Sequence, residues 1–108
     1  MTISIDQFNA VEIQIGTVTT AERVPDSDKL LRLQVDLGEG TVRQILSGIA
    51  AYVAPEELVG RQFPFVTNLE PRVIRGLVSN GMLLGVGDHD TFALLAPNKT
   101  VAIGSRVR

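Results

Sequence analysis

The sequence predicts an all-β fold that curls into a small barrel and carries one short helix. Three observations predict it. Apolar and polar residues alternate with period two through most of the chain. Glycine-bearing turns separate the alternating segments, which are short and regularly spaced. Only one stretch, Pro55-Glu56-Glu57-Leu58, sets a proline and two acids where a first helical turn wants them. The 108 residues suit one domain, 1–108, and a chain of this length buries roughly two-thirds of the surface it exposes when unfolded.

The elements follow in order. Val11, Ile13 and Ile15 share one face of a strand whose other face carries Glu12 and Gln14. Gly16 then predicts a bulge or bend before β-formers resume at Thr17–Thr20. Leu31, Leu33, Val35 and Leu37 alternate with Arg32, Gln34 and Asp36, a half-buried strand. Gly38-Glu39-Gly40 turns it into a partner over Thr41–Ser47. The proline and acids predict a helix over 54–59, closed by Gly60. Phe63–Leu69 reads as a strand, with Pro64 placing it at an edge or at a strand start. Met82–Val86 and Thr91–Ala96 read as two more strands across the turn Gly87-Asp88-His89-Asp90, and residues 101–107 as a short last segment. A five-stranded oligonucleotide/oligosaccharide-binding (OB) barrel with extra terminal strands matches this size.

Composition removes whole classes of function. The chain has no cysteine, so disulfide scaffolds, thiol nucleophiles and cysteine-ligated zinc are excluded. Its one histidine, His89, leaves neither a multi-histidine metal site nor a triad; between two aspartates it reads as a solvated turn residue, with a lone ion ligand as the other reading. Gly85-Val86-Gly87 begins a glycine motif, but position 90 is Asp90, so no dinucleotide fingerprint exists. Glu56 and Glu57 complement a helix start rather than forming an acid/base pair. The expectation is therefore no catalytic residue, no metal and no cofactor. No apolar run approaches the roughly 20 residues of a membrane span, and the first ten residues lack the features of a leader, so a cytoplasmic protein is expected. The net charge of −2 argues against a strongly basic binder. The charge is unevenly spread, however. Residues 1–40 hold three basic and seven acidic side chains, whereas residues 59–76 hold three arginines and one acid.

Those arginines draw attention to the segment from Asn68 to Met82, long for a loop, with Arg72 and Arg75 three apart and Pro71 and Gly76 bracketing them. Guanidinium groups on such a segment suit forked hydrogen bonds to phosphates; pairing with Glu70 or solvent is the simpler reading.

A resemblance adds to this. Val11-Glu12-Ile13-Gln14-Ile15-Gly16, Asp28-Lys29-Leu30-Leu31, Val35-Asp36-Leu37-Gly38, Arg43-Gln44-Ile45-Leu46-Ser47-Gly48-Ile49-Ala50, Pro55-Glu56-Glu57-Leu58-Val59-Gly60, Asn68-Leu69, Pro71-Arg72, Arg75-Gly76, Ser79 with Gly81-Met82, and Gly104-Ser105 with Val107 recur in order over about 100 residues. In these the chain resembles the tRNA-binding domain found in many methionyl-tRNA synthetases, in tyrosyl-tRNA synthetases, in the endothelial-monocyte-activating polypeptide group and as free-standing dimeric proteins. The resemblance implies an OB barrel that binds tRNA by shape, contacting backbone and 2′-hydroxyls rather than base edges. It implies a homodimer, since the extra region that replaces a partner in the monocyte-polypeptide group is missing. It also implies a synthetase catalytic domain as a further partner. Lys29, Arg43, Arg72 and Arg75 are the expected phosphate contacts, Ser47, Asn68 and Ser79 the expected hydrogen-bonding groups, and Met82 an apolar wall or a plain core residue. Gln14, Glu70 and Val73 stand where the family often has a base, which predicts weaker binding and a flatter salt dependence. Tyr52 is the one aromatic ring expected to be free for stacking, and Arg23 is an expected spectator. A peptide-binding, secretion-associated chaperone dimer of the same fold is the alternative.

Overall fold

The computed structural model describes the backbone of residues 1–108 and every side chain but that of His89; both readings of His89 lie outside the described residues. Helix α1 (Ile5–Asn9) leads into β1 (Ile13–Arg23), β2 (Leu31–Asp36) and β3 (Val42–Ser47). A 3₁₀ turn at Pro55–Glu57 precedes β4 (Gln62–Val66), followed by β5 (Arg72–Ile74), β6 (Leu77–Ser79), β7 (Met82–Leu83), β8 (Gly85–Val86) and β9 (Ala93–Leu94). Five strands form one antiparallel sheet in the order β3-β2-β1-β4-β7. The sheet is strongly curled into a half-barrel, and its two ends meet where Asn80 N–H donates to the Gln44 carbonyl at 2.8 Å. The expected all-β OB-type architecture is therefore found. Among the described residues, no helix is long and apolar enough to cross a membrane.

The core lies in the concavity. Leu31, Leu33 and Val35 of β2, Ile45 of β3, and Phe63 and Phe65 of β4 are fully buried there with Val18 and Leu58. These are the inward halves of the alternating patterns, and the sheet's side-chain period of two puts them on one face. Gly16 lies opposite Phe63. It is not a bulge; a Cβ there would come within 2.6 Å of Val35 Cγ1, so glycine allows the close approach. The irregularity sits at Thr19 instead, between the pairs Val18–Val35 and Thr20–Gln34.

Other expectations are corrected. The helix over 54–59 is only a 3₁₀ turn, although the Glu57 side chain does cap the Ala54 N–H at 2.8 Å. The α-helix is α1, and its signal was Ser4-Ile5-Asp6-Gln7: the Ser4 hydroxyl accepts from Gln7 N–H while Gln7 Oε1 accepts from Ser4 N–H. β4 is interior, not an edge. Pro64 is tolerated because its carbonyl, and hence its missing N–H, faces the end of the short β7, where Leu84 N–H donates to it at 3.2 Å. Residues 101–107 form no strand; they run beside the start of β1 through one bridge, Gln14–Arg106, with Ser105 and Val107 bonding Ile15 and Ile13.

Candidate nucleic-acid interface

The segment expected as a long loop is a hairpin, β5–β6, with Arg72 opposite Ser79, Val73 opposite Val78 and Ile74 opposite Leu77. Its turn residues Arg75 (φ 51°) and Gly76 (φ 77°) both have positive φ, as a two-residue type I′ turn requires. Glycine reaches this freely; for Arg75 it costs roughly 1 kcal/mol.

The hairpin lies over the outer face of β3. Gln44 Nε2 donates to the Val78 carbonyl at 2.9 Å, and Leu46 N–H donates to Ser79 Oγ at 3.0 Å. A second, smaller core glues the layers: Val24, Leu30 and Leu46 are buried, with Ile74 and Leu77 packed on them. The same cluster fixes the loop between β1 and β2, where Ser27 Oγ accepts from Lys29 N–H and Leu30 N–H. The hairpin tip docks onto that loop through Arg75 Nη1 and the Asp26 carbonyl at 3.1 Å. Loop, hairpin tip and the end of β3 thus surround a cleft of about 350 Å³, lined by Ser27, Asp28, Lys29, Leu30, Gly48, Ile74 and Arg75.

Not all expected contact residues reach this face with free groups. Lys29, Arg72 and Arg75 are exposed, and neither ion pair among the described residues uses them. Ser47, half-buried, ends β3 beside Gly48. Arg43 is elsewhere and engaged. It lies four residues back along β3, about 13 Å at roughly 3.3 Å per residue. Its guanidinium holds both Glu39 carboxylate oxygens, at 2.9 and 2.8 Å, and the Thr67 carbonyl at 2.6 Å. The Arg43 hydrogen bonds hold the Glu39 carboxyl below its ordinary value despite some burial. Asn68 is also structural: its Oδ1 accepts from Glu12 N–H at 2.8 Å and its Nδ2 donates to the Ala10 carbonyl at 2.7 Å, tying β1 to the end of β4. Ser79 is 5% exposed and its hydroxyl, between Leu46 N–H and the Gly81 carbonyl, belongs to the hairpin's anchor. Met82 is 39% exposed beside a buried Leu83, which removes the core role and leaves it on the surface.

Three further expectations change. Gln14 is not a missing contact charge: half-buried, it accepts from the Thr67 hydroxyl at 2.7 Å and donates to the Gly104 carbonyl at 3.2 Å. Tyr52 is not free for bases on both sides, since Phe92 stacks against it at 5.3 Å between centroids. Arg23 is no distant spectator, because its Nη1 donates to the Ala50 carbonyl at 3.3 Å, and Ala50 N–H in turn bonds Lys29. Asp26 and Gly48 were not singled out. Alternation says nothing about a loop carbonyl or a glycine after a strand.

Residues 13–106 match a family model described as "Putative tRNA binding domain". The chain is 48% identical over 105 residues to a methionine–tRNA ligase of Helicobacter pylori and 52% identical over 106 residues to one of Methanoregula boonei. It is covered at 97% and 98% in these matches but spans 16% of the length of either ligase. Among solved structures, a MetRS related protein from Pyrococcus horikoshii superposes with TM-score 0.93 at 36% identity, covering 100% of this chain and 99% of that one. The chaperone CsaA of Bacillus anthracis superposes with TM-score 0.88 at 30% identity, covering both chains fully.

Proposed function

This chain belongs to the tRNA-binding domain family, and from that membership we propose a non-catalytic module that holds tRNA by its sugar–phosphate backbone and serves a methionyl-tRNA synthetase, joined to it or beside it. The reading takes residues 1–108 as one domain acting in the cytoplasm. The observation that carries it is the placement of Lys29, Arg72 and Arg75. In a chain of net charge −2, three exposed cations without carboxylate partners among the described residues belong to the β1–β2 loop and the β5–β6 hairpin, and Lys29 and Arg75 line one cleft of the face these two elements form. That face is held rigid by its own small core. Ser47 supplies a hydroxyl at the end of β3, beside the Gly48 that lines the cleft; exposed Met82, on β7 opposite Val66, adds an apolar contact from there.

Shape rather than sequence is read. Phe63 and Phe65 are fully buried, Tyr52 is covered on one side by Phe92, and exposed Phe8 belongs to the apolar side of α1, so few stacking platforms for single strands remain. Folded tRNA is expected to displace labelled tRNA at a concentration at least tenfold below that of an unstructured RNA of equal length. Equal competition contradicts shape reading.

The module also pairs with a second copy. Helix α1 buries none of its residues, and Met1, Ile3, Ile5, Phe8 and Val11 stay exposed. Arg106 ties α1 to the last segment through the Asn9 carbonyl at 2.8 Å. There an apolar groove runs between Ile15, Pro64, Leu95, Pro97, Val101 and Val107. An apolar face of this extent suits a two-fold interface. Sedimentation equilibrium at micromolar protein should give twice the 11.7 kDa of one chain; the single-chain mass contradicts it. The same groove and the likeness to a chaperone favour peptide capture as a second reading. It requires binding of an apolar peptide that excess tRNA does not displace.

A further inference from the structure

Gly48 is the one glycine of ten that the fold itself does not explain. Seven have positive φ, where a side chain is strained. Gly16 and Gly85 have ordinary φ but no room, a Cβ coming within 2.6 Å of Val35 and 2.7 Å of Phe92. Gly48 has neither restriction: its φ lies outside the left-handed region, and an added Cβ would meet nothing within 4 Å. At such a site alanine stabilises a protein by restricting the unfolded chain, so folding alone disfavours glycine here.

The open space at Gly48 belongs to the cleft of about 350 Å³ between the β1–β2 loop and the hairpin tip. Lys29, Arg75 and Asp28 line it, a net charge of one positive unit that matches a single phosphodiester. Its walls are held in place. Asp26 (φ 65°) and Arg75 (φ 51°) are the two non-glycine residues with positive φ, and the hydrogen bond from Arg75 to the Asp26 carbonyl joins them. Backbone held in such conformations persists where the surroundings over-determine it, as in ligand clamps.

We propose that this cleft seats one phosphodiester of the RNA between Lys29 and Arg75, and that Gly48 lacks a side chain because the RNA backbone passes directly over it. The proposal rests on the tRNA-binding reading and adds the register of the backbone on this face. A side chain at Gly48 then excludes the phosphate without removing any charge.

The test titrates labelled tRNA with the parent, Gly48→Ala, Gly48→Leu, Lys29→Ala and the double variant Gly48→Leu/Lys29→Ala, beside their melting temperatures. Both Gly48 variants should melt at or above the parent temperature. Gly48→Ala should bind several-fold more weakly and Gly48→Leu more than tenfold. In the Gly48→Leu background, Lys29→Ala should cost nothing more, because its phosphate is already displaced. Parent-like binding by Gly48→Leu, or the same factor for Lys29→Ala in both backgrounds, overturns the proposal and leaves tRNA binding standing. If leucine lowers the melting temperature, Gly48→Ala and its double variant with Lys29→Ala decide by the same criteria. A parent that binds no tRNA overturns the underlying reading, and this proposal with it.

Discussion

Lys29→Ala, Arg72→Ala and Arg75→Gly made together should weaken tRNA binding by roughly 3 kcal/mol or more, over a hundredfold, and lower the salt slope by about two to three. All three side chains are exposed, and none belongs to either buried cluster. The barrel and its melting temperature should therefore be little changed. Glycine is chosen at Arg75 because alanine would keep the positive-φ strain while removing the bond to Asp26. The matched control is Lys99→Ala with Arg61→Ala. These cations line a separate cleft with Thr17, Gln62 and Asn98. Thr17 lies six residues before Arg23 on β1, roughly 20 Å away by strand geometry. Arg23 is unsuited as a control, since its contact with Ala50 puts it next to Lys29. A control that loses as much as the triple variant would move the interface to the other end of the barrel.

The second large effect separates scaffold from face. Phe63 is fully buried in the main core, under the Arg61 guanidinium at 5.1 Å from its ring. Phe63→Ala should cost roughly 3–5 kcal/mol, and at roughly 4–8 °C per kcal/mol for a domain this size the midpoint should fall by roughly 12 °C or more. Well below that midpoint, tRNA affinity should stay close to the parent's. Leu46→Ala removes a side chain from the small core instead. It should cost less stability, roughly 2 kcal/mol, yet lose more affinity, because Leu46 holds the hairpin and the Lys29 loop together. Calorimetry with tRNA titration at 10 °C checks the crossing. Two variants losing stability and affinity in the same order would mean that the hairpin layer has no independent part in binding.

The barrel was legible because alternation survives wherever one face of a strand is buried. Leu31-Leu33-Val35 fell on the inward face as their spacing required, whereas in β1 the residues that face the core are Gly16 and Val18, and Ile15 lies on the opposite face, in the groove beside the last segment. The pattern failed where burial comes from both sides or from neither. Leu46 is buried by the hairpin on the outer face of β3, and β5 and β6, three residues each, are too short to display a period. The Arg75-Gly76 turn is hidden in the sequence because the signal for a type I′ turn favours asparagine or aspartate before glycine, and an arginine there must be held from outside, as the Asp26 carbonyl holds it. Charge was legible only as density. Nothing in the spacing separates Arg43, whose guanidinium is engaged by Glu39 and Thr67, from Arg72, which has no ion-pair partner among the described residues. Likewise Ser79 and Asn68 have the residue types of RNA contacts, but their partners are the hairpin anchor and the entry to β1, supplied by residues 33 and 56 positions away.

On the proposed reading, tRNA docks on the face formed by the β1–β2 loop, the end of β3 and the β5–β6 hairpin. Amide chemical-shift mapping of the isotopically labelled protein against unlabelled tRNA tests it most directly. Residues 26–30, 47–49 and 72–78 should shift or broaden first, while residues 58–62 and 96–100 at the far cleft keep their positions. The reverse pattern, with the far cleft perturbed and the hairpin unmoved, would contradict it.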